Sequence, residues 1–149
     1  MAMNNYLSII TLNVNGLTAP IKRHRIAEWI RKHDPHICSL QGIHLRTKDI
    51  HRLQVKGWKQ IIQANRLEKK SRVAILISDK IDFQRWAIKR DPEGHFIILK
   101  GRILQEDINI VNIYAPNRGA PKYIKKILED FKKDIDSNTI IVGDFNTAP

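Results

Sequence analysis

The sequence has a single cysteine, Cys38, and no hydrophobic run long enough to cross a membrane. One thiol forms neither an internal disulfide nor a zinc site by itself, so we expect a reducing compartment, nuclear or cytoplasmic. A membrane helix needs about 18 uncharged apolar residues, so we expect no membrane association. Residues 1–6 lack a basic region followed by an apolar core, which argues against a secretory signal. Cys38 lies within an apolar run, which predicts a buried thiol.

Acidic residues are also scarce. Fifteen aspartates and glutamates face 26 lysines and arginines, which gives a formal net charge of +11. A positive field of this size attracts polyanions and speeds their association. The basic residues are spread along the chain, with groups at 22–32, 56–72 and 122–133, rather than gathered in a tail. A solvated basic surface without a partner is the alternative, but the charge imbalance favours nucleic acid as a partner.

Apolar, β-branched runs alternate with turn residues and predict one α/β domain with many strands. The predicted strands cover 6–13, 36–41, 58–64, 73–78, 83–89, 95–102, 108–114 and 139–142, the last of them short and buried. The predicted helices cover 18–33, with a hydroxyl cap at Thr18, and 121–137, and a basic turn covers 66–72. The first strand, helix and second strand predict a right-handed crossover with parallel pairing. Turn residues between the strands of the middle region favour antiparallel pairing there.

Polar residues follow three of the predicted strands: Asn13 and Asn15, then Tyr114, then Asp144 and Asn146. Ligands of α/β sheets bind at the carboxyl ends of strands, so these side chains are candidates for one site. A carboxylate there can orient or deprotonate a water, and an amide or phenol can donate hydrogen bonds to phosphoryl oxygens. Each signal has a plainer explanation, since Asp-x-Asn often forms an Asx turn and the tyrosine can simply pack. The combination favours phosphoester hydrolysis.

Four segments resemble a known family: TLNVNGL (11–17), LQGIHL (40–45), NIYAPN (112–117) and GDFN (143–146). In order and spacing they resemble the endonuclease/exonuclease/phosphatase family. They are most similar to the apurinic-endonuclease-like domain of the reverse-transcriptase protein of long interspersed (non-LTR) retrotransposons. The resemblance extends over essentially the whole chain. It implies an incomplete layered α/β sandwich, with mixed sheets flanked by helices, in which residues 1–149 form the N-terminal part, roughly the first three fifths, of a single endonuclease-like domain.

The resemblance also implies an activity and roles for individual residues. The family uses Mg²⁺ and cuts a DNA strand to leave a 3′-hydroxyl, which primes reverse transcription in the retrotransposon. By position, Asp144 would prepare the nucleophilic water and Asn146 would stabilise the transition state. Tyr114 and Asn117 would contact the scissile phosphate or its neighbour.

One departure from the family concerns the metal. Asn13 would lie beside the metal and the reactive water, with Asn15 on the same loop. The family pattern at 41–44 is Gln-Glu-Thr-His, whereas this chain has Gln-Gly-Ile-His. The glutamate is the family's principal metal ligand, and Gly42 offers no side-chain oxygen. His44 could share a strand face with position 42 and contact phosphate, but imidazole is a poor Mg²⁺ ligand. We therefore expect weak metal binding or none, with Asn13 as a residual ligand.

The other departure concerns length. The family's domain is longer than this chain, and its remaining part supplies a second carboxylate and a Ser-Asp-His motif. The first hypothesis is therefore a truncated, degenerate endonuclease domain without efficient catalysis, whose sheets lack a completing segment or partner chain. The second is a residual metal-dependent nuclease that uses Asp144, Asn146 and Tyr114. The third is a non-catalytic, basic nucleic-acid-binding remnant, and a relic without any role is a fourth.

Overall fold

The computed structural model describes residues 6–64 and 70–146, and within them eight strands form two four-stranded sheets. In chain order the helices and strands are β1 (Ile9–Asn13), α1 (Pro20–His33), β2 (Ile37–Arg46), β3 (Gln60–Gln63), β4 (Lys70–Ile77), β5 (Phe83–Arg90), β6 (Phe96–Ile103), β7 (Glu106–Tyr114), α2 (Ala120–Asp130) and β8 (Thr139–Asp144). Short 3₁₀ helices cover Thr47–Arg52 and Lys132–Asp134. None of the helices in these described ranges has the length and apolar character needed to span a membrane.

The two sheets share a pattern of connection. The first has the order β1-β2-β4-β3 and the second the order β5-β6-β7-β8. β1 pairs with β2 in parallel and β7 pairs with β8 in parallel, whereas the other neighbours are antiparallel. Each parallel pair is joined by a helix, α1 in the first sheet and α2 in the second. The predicted parallel pairing of the first two strands and the antiparallel middle region are confirmed.

Buried side chains divide into three clusters that stack the elements in four layers. One cluster joins α1 to the first sheet, through residues such as Leu17, Ile30, Leu40 and Leu76. A second fills the space between the sheets, with Ile62, Val73, Ile75, Ile97 and Leu99 among its members. A third joins the second sheet to α2, through Ile98, Val111, Ile113 and Ile127. The fold is therefore an α/β sandwich with a helix on each outer face, as expected.

Cys38 lies on β2 and packs in the cluster beneath α1 with no exposed surface, so the predicted burial is confirmed. Burial raises the pKa of its thiol to about 12. Because the thiolate is the reactive form, we predict that a chromogenic disulfide reagent modifies Cys38 very slowly in native buffer and rapidly in denaturant. The absorbance of the released thiol measures both rates. A native rate close to the denatured rate would contradict this packing.

Helix α1 ends where predicted, at His33, but it begins at Pro20 and lacks the predicted cap. Its N-cap is Ala19, and no side-chain hydrogen bond caps the first turn. Thr18 instead supplies its carbonyl oxygen, which accepts a hydrogen bond from Arg23 Nη1 at 2.8 Å. The same nitrogen donates to the Leu17 carbonyl at 2.9 Å, so the arginine ties the helix to the loop that precedes it. At the other end Asp34 adopts φ +50° and ends the helix.

Helix α2 and β8 differ more from their predictions. Helix α2 ends at Asp130 rather than at 137, and Asp134 closes a short 3₁₀ turn beyond it. Asp134 is nearly buried and lies 2.7 Å from both Lys89 and Lys100, whose hydrogen bonds lower the pKa of its carboxyl group. These contacts hold the chain against the second sheet. A helix that continued to residue 137 would carry the chain away from that sheet. Strand β8 is an edge strand, so residues 140 and 141 are 37% exposed rather than buried.

Two further boundaries changed. Strand β2 continues past residue 41 to Arg46, with a register irregularity between Gln41 and Leu45. Arg72 belongs to β4, because its neighbours pair with the end of β2, and not to a turn. The rest of the predicted basic turn, 66–69, lies outside the described residues.

Candidate functional site

The carboxyl ends of the two parallel strand pairs meet at one edge of the sandwich. Asn13 ends β1 in the first sheet, and Asp144 ends β8 in the second. Asn13 Nδ2 donates a hydrogen bond to Asp144 Oδ2 at 2.7 Å. This hydrogen bond joins residues 131 positions apart and links the two sheets at this edge. We refer to this edge, with Asn13, Tyr114, Asn117, Asp144 and Asn146, as the strand-end site.

Asp144 is held from two directions. Its Oδ2 accepts from Asn13, and its Oδ1 accepts from the backbone N–H of Asn146 at 3.0 Å. The second bond is the Asx turn that the sequence suggested, and Asn146 adopts φ +50° to form it. The Asn146 side chain donates to Asn117 Oδ1 and, at 3.5 Å, to the Ala115 carbonyl. The carboxylate and the two asparagines are therefore fixed relative to one another.

Glycine at position 42 makes the arrangement around Asn13 possible. A β-carbon at Gly42 would lie 2.8 Å from Asn13 Oδ1 and 3.2 Å from Tyr114 Cε1. Gly42 also has φ +72°, a conformation that L residues rarely adopt. Asn13 Oδ1 accepts from the Asn15 backbone N–H at 3.2 Å, so Asn15 contributes its backbone to the site. The Asn13 carboxamide thus lies where a side chain at 42 would begin.

His44 contacts Tyr114 edge to face, with ring centroids 5.9 Å apart. Its φ of +51° and the irregularity of β2 mean that simple strand alternation does not relate it to Gly42, contrary to expectation. Burial, followed by the positive charges of Arg72 and Lys70, lowers the pKa of His44 below its ordinary value. The imidazole is therefore neutral near pH 7 and packs against the tyrosine.

Sequence reasoning missed a buried polar pair beneath the site. Gln41 and Asn112 are 1% and 0% exposed and bridge the two sheets. Gln41 Nε2 donates to Asn112 Oδ1 at 2.9 Å and to Thr11 Oγ1 at 2.8 Å. Asn112 Nδ2 donates to the carbonyls of Leu40 at 3.2 Å and Ala74 at 3.0 Å. The sequence did offer a signal, a polar residue inside each apolar strand. Because buried polar groups need partners, such a residue predicts a buried hydrogen bond.

Sequence reasoning also missed His95, which positions Tyr114. The Tyr114 backbone N–H donates to the His95 carbonyl at 2.7 Å, and His95 Nδ1 lies 3.0 Å from the Tyr114 carbonyl. Tyr114 is thereby held on both sides of its backbone at the end of β7. Nothing in the sequence around His95 distinguishes this histidine from an ordinary residue at the start of a strand.

The residues of the strand-end site do not form a dedicated Mg²⁺ site. Across 6–64 and 70–146, no three His, Cys, Asp or Glu side chains are grouped to hold a metal ion. Mg²⁺ prefers an octahedron of oxygens at about 2.0–2.1 Å. Asp144 has both carboxylate oxygens engaged in hydrogen bonds, and so has the Asn13 carbonyl oxygen. Each of these oxygens accepts one hydrogen bond, and Gly42 adds no oxygen, so Asp144 is the single carboxylate that the strand-end site offers a metal ion.

Comparison with known proteins places the chain in context. The sequence profile of the Endonuclease/Exonuclease/phosphatase family matches residues 10–149. A relative in Xenopus laevis, the uncharacterized 149 kDa protein of transposon TX1, is 29% identical over 144 residues. That match covers 94% of this chain and 11% of the relative. The similarity therefore concerns a small part of a much larger protein.

Solved structures share the fold. The endonuclease domain of TRAS1, a telomere-specific non-LTR retrotransposon, superposes with a TM-score of 0.65 at 14% identity, over 97% of this chain and 61% of that one. An AP endonuclease from Archaeoglobus fulgidus gives 0.65 at 20% identity, over 97% and 59%. D. rerio TDP2 complexed with single strand DNA product gives 0.73 at 14% identity, over 96% and 62%. The chain spans about three fifths of these structures.

Proposed function

This chain belongs to the endonuclease/exonuclease/phosphatase family, and we propose that it binds a DNA phosphodiester at the strand-end site without hydrolysing it efficiently. The observation that carries the proposal is the bond between Asn13 and Asp144, which joins the strand ends of both sheets into one polar cluster. The chain is related to a retrotransposon endonuclease. We propose that it corresponds to part of such a domain, because its relatives are longer.

The chemistry of the site suits a phosphate. The Asn146 and Asn117 carboxamides and the Tyr114 hydroxyl can donate hydrogen bonds to phosphoryl oxygens. Asp144, fixed by Asn13 and by its own Asx turn, can orient a water and accept its proton. The net charge of +11 draws a polyanion toward the domain. The DNA complex of the structural relative TDP2 supports DNA as the ligand.

Inefficient hydrolysis follows from the groups around Asp144. In the family, Mg²⁺ supplies charge neutralisation and activation of the nucleophile when bound. Here Gly42 has no side-chain oxygen, which leaves Asp144 as the single carboxylate of the site, so Mg²⁺ binds weakly. Loss of even one transition-state donor costs about 10²–10³ in rate. We therefore propose that this chain retains DNA binding but has lost efficient catalysis.

We predict that Asp144→Asn strengthens binding to a short duplex by roughly fivefold. Two unit charges about 4 Å apart repel by about 1 kcal/mol in water, and this substitution removes one of them beside the bound phosphate. Fluorescence anisotropy measures the change in Kd. Asp82→Asn, an exposed residue that follows β4 at the opposite edge, provides the matched control and should leave Kd unchanged.

Plasmid nicking and a thermal melt on the same sample separate the remaining possibilities. We expect a folded chain that binds duplex and nicks supercoiled plasmid at background level with Mg²⁺. Robust nicking that disappears in Asp144→Asn would replace this proposal with the residual nuclease. A folded chain that binds no DNA at low salt, or equal Kd values for both aspartate variants, would remove DNA binding at this site.

A further inference from the structure

We propose that the outer face of α2 is a second DNA contact, along which the phosphate backbone lies after it leaves the strand-end site. We call this surface the α2 basic face and define it by Arg118, Lys122, Lys125 and Lys126. The inference rests on the proposed function, since it extends a bound strand from the strand-end site. In this arrangement the bound strand continues along α2, and four of the cations behind the +11 net charge bind it.

The four cations line one open concavity of about 590 Å³. Lys125 and Lys126 follow Lys122 by three and four residues, which places all three on the same side of the helix. From Lys122 to Lys126 the helix rises roughly 6 Å. Phosphates of one strand follow one another at about 3.4 Å along a duplex axis, so this length serves about two of them.

These cations are not neutralised by the protein. Some surface lysines and arginines lie against carboxylates, as Lys80 does at 2.6 Å from Asp34 and Arg102 at 3.0 Å from Asp107. Within the described ranges, none of the α2 basic face cations makes an ion pair, and all four are exposed. The concavity carries a single acid among its lining residues, Glu129. Three net positive charges therefore remain for a ligand.

The α2 basic face is continuous with the strand-end site. Arg118 directly follows Asn117, whose side-chain oxygen accepts a hydrogen bond from Asn146. Pro116 and Gly119 line the same concavity, so the loop after β7 leads from one surface to the other. A phosphodiester held at Asn146 thus has the α2 basic face as its neighbouring surface. This continuity favours one extended ligand over two separate ones.

An anionic membrane is the other polyanion that a basic helix can bind, but the apolar side of α2 is already used. Membrane-surface helices insert an apolar face beneath the headgroups. Here Ile127 is 3% exposed and packs with Tyr123 and Ile124 against the second sheet. The surface that remains is predominantly charged, and it fits a phosphate backbone better than a lipid layer.

The test compares two triple variants with the same change of charge. Lys122→Gln/Lys125→Gln/Lys126→Gln removes three cations from the α2 basic face. Arg31→Gln/Lys32→Gln/Lys56→Gln removes three exposed cations on the α1 side, away from the strand-end site. Anisotropy with a short fluorescent duplex is measured from about 50 to 200 mM salt, where each phosphate contact contributes about 0.9 to the slope of log K against log salt. Thermal melts confirm that both variants remain folded.

We expect the α2 variant to bind at least about tenfold more weakly and to lose two to three units of salt slope, whereas the α1 variant changes Kd less than about threefold. Equal losses in the two variants would overturn the α2 contact while leaving DNA binding intact. No binding by the unmodified chain would instead overturn the proposed function. Loss of binding to anionic phospholipid vesicles in the α2 variant, with duplex binding unchanged, would assign the surface to a membrane.

Discussion

Replacing Gly42 by glutamate is expected to destabilise the chain by about 2–5 kcal/mol and to leave Mg²⁺-dependent nicking at background. The expected loss combines about 1–2 kcal/mol for a side chain at positive φ with about 0.5–1.5 kcal/mol for each hydrogen bond that Asn13 gives up. Under the hypothesis of a residual metal-dependent nuclease the same substitution would raise the rate of nicking, because glutamate is the family's ligand at this position. The structure argues against that gain, since φ is +72° at this position and a β-carbon would displace the Asn13 carboxamide.

The physical reason lies in Asn13. Its Oδ1 lies 2.8 Å from where the new β-carbon would be, so the carboxamide has to move. Movement breaks its hydrogen bonds with Asp144 at 2.7 Å and with Asn15 at 3.2 Å. The new carboxylate would arrive with Asp144 held only by the Asn146 backbone N–H among the two bonds described above. The variant therefore gains a carboxylate for the metal ion but loses the arrangement of Asn13 and Asp144.

Urea unfolding and plasmid nicking measure the two effects together. Gly42→Ala adds the same β-carbon without the carboxylate and should account for most of the loss of stability. Gly57→Ala serves as a control for positive φ alone, because φ is +100° there and no atom lies within 4 Å of the added carbon. A tenfold or greater rise in nicking by the glutamate variant, at unchanged stability, would show that the metal site is recoverable.

Replacing Gly143 by alanine is expected to cost about 3 kcal/mol or more of folding free energy. Gly143 has φ +149°, and a β-carbon there would lie 2.0 Å from the Ile113 carbonyl oxygen. That oxygen belongs to the backbone of β7, which pairs with β8 at this point and cannot rotate away. Backbone strain and overpacking each contribute about 1–3 kcal/mol. Relief would require β8 to separate from β7, which displaces Asp144 from Asn13.

Gly119→Ala isolates the packing component of this effect. Gly119 also has positive φ, +72°, but nothing lies within 4 Å of a carbon added there. We expect Gly119→Ala to cost about 1 kcal/mol, because an L residue in this conformation is strained but not crowded. Chemical unfolding of the two variants gives the comparison. Similar losses of stability at 143 and 119 would show that the contact with Ile113 does not constrain the strand.

The limits of prediction are clearest beneath the site. Asp144 and Asn146 stand out in the sequence because they follow an apolar strand and form an Asx turn with local partners. Gln41 and Asn112 were not singled out, because their partners come from the opposite sheet. Hydrogen bonds between residues about 70 positions apart depend on which sheets face each other. Local pattern carries no information about that pairing, so the buried bridge emerged only with the fold.

The sequence by itself determined the alternation of strands and helices, the parallel and antiparallel pairings, the buried thiol and the family. It did so because hydrophobic period, turn residues and charge are local properties of the chain. The tertiary structure alone decided that β8 is an exposed edge and that α2 stops at Asp130. It also decided that Gly42 leaves room for the carboxamide of Asn13. Each of these depends on atoms brought together from distant parts of the chain, and the last determines which groups lie beside Asp144.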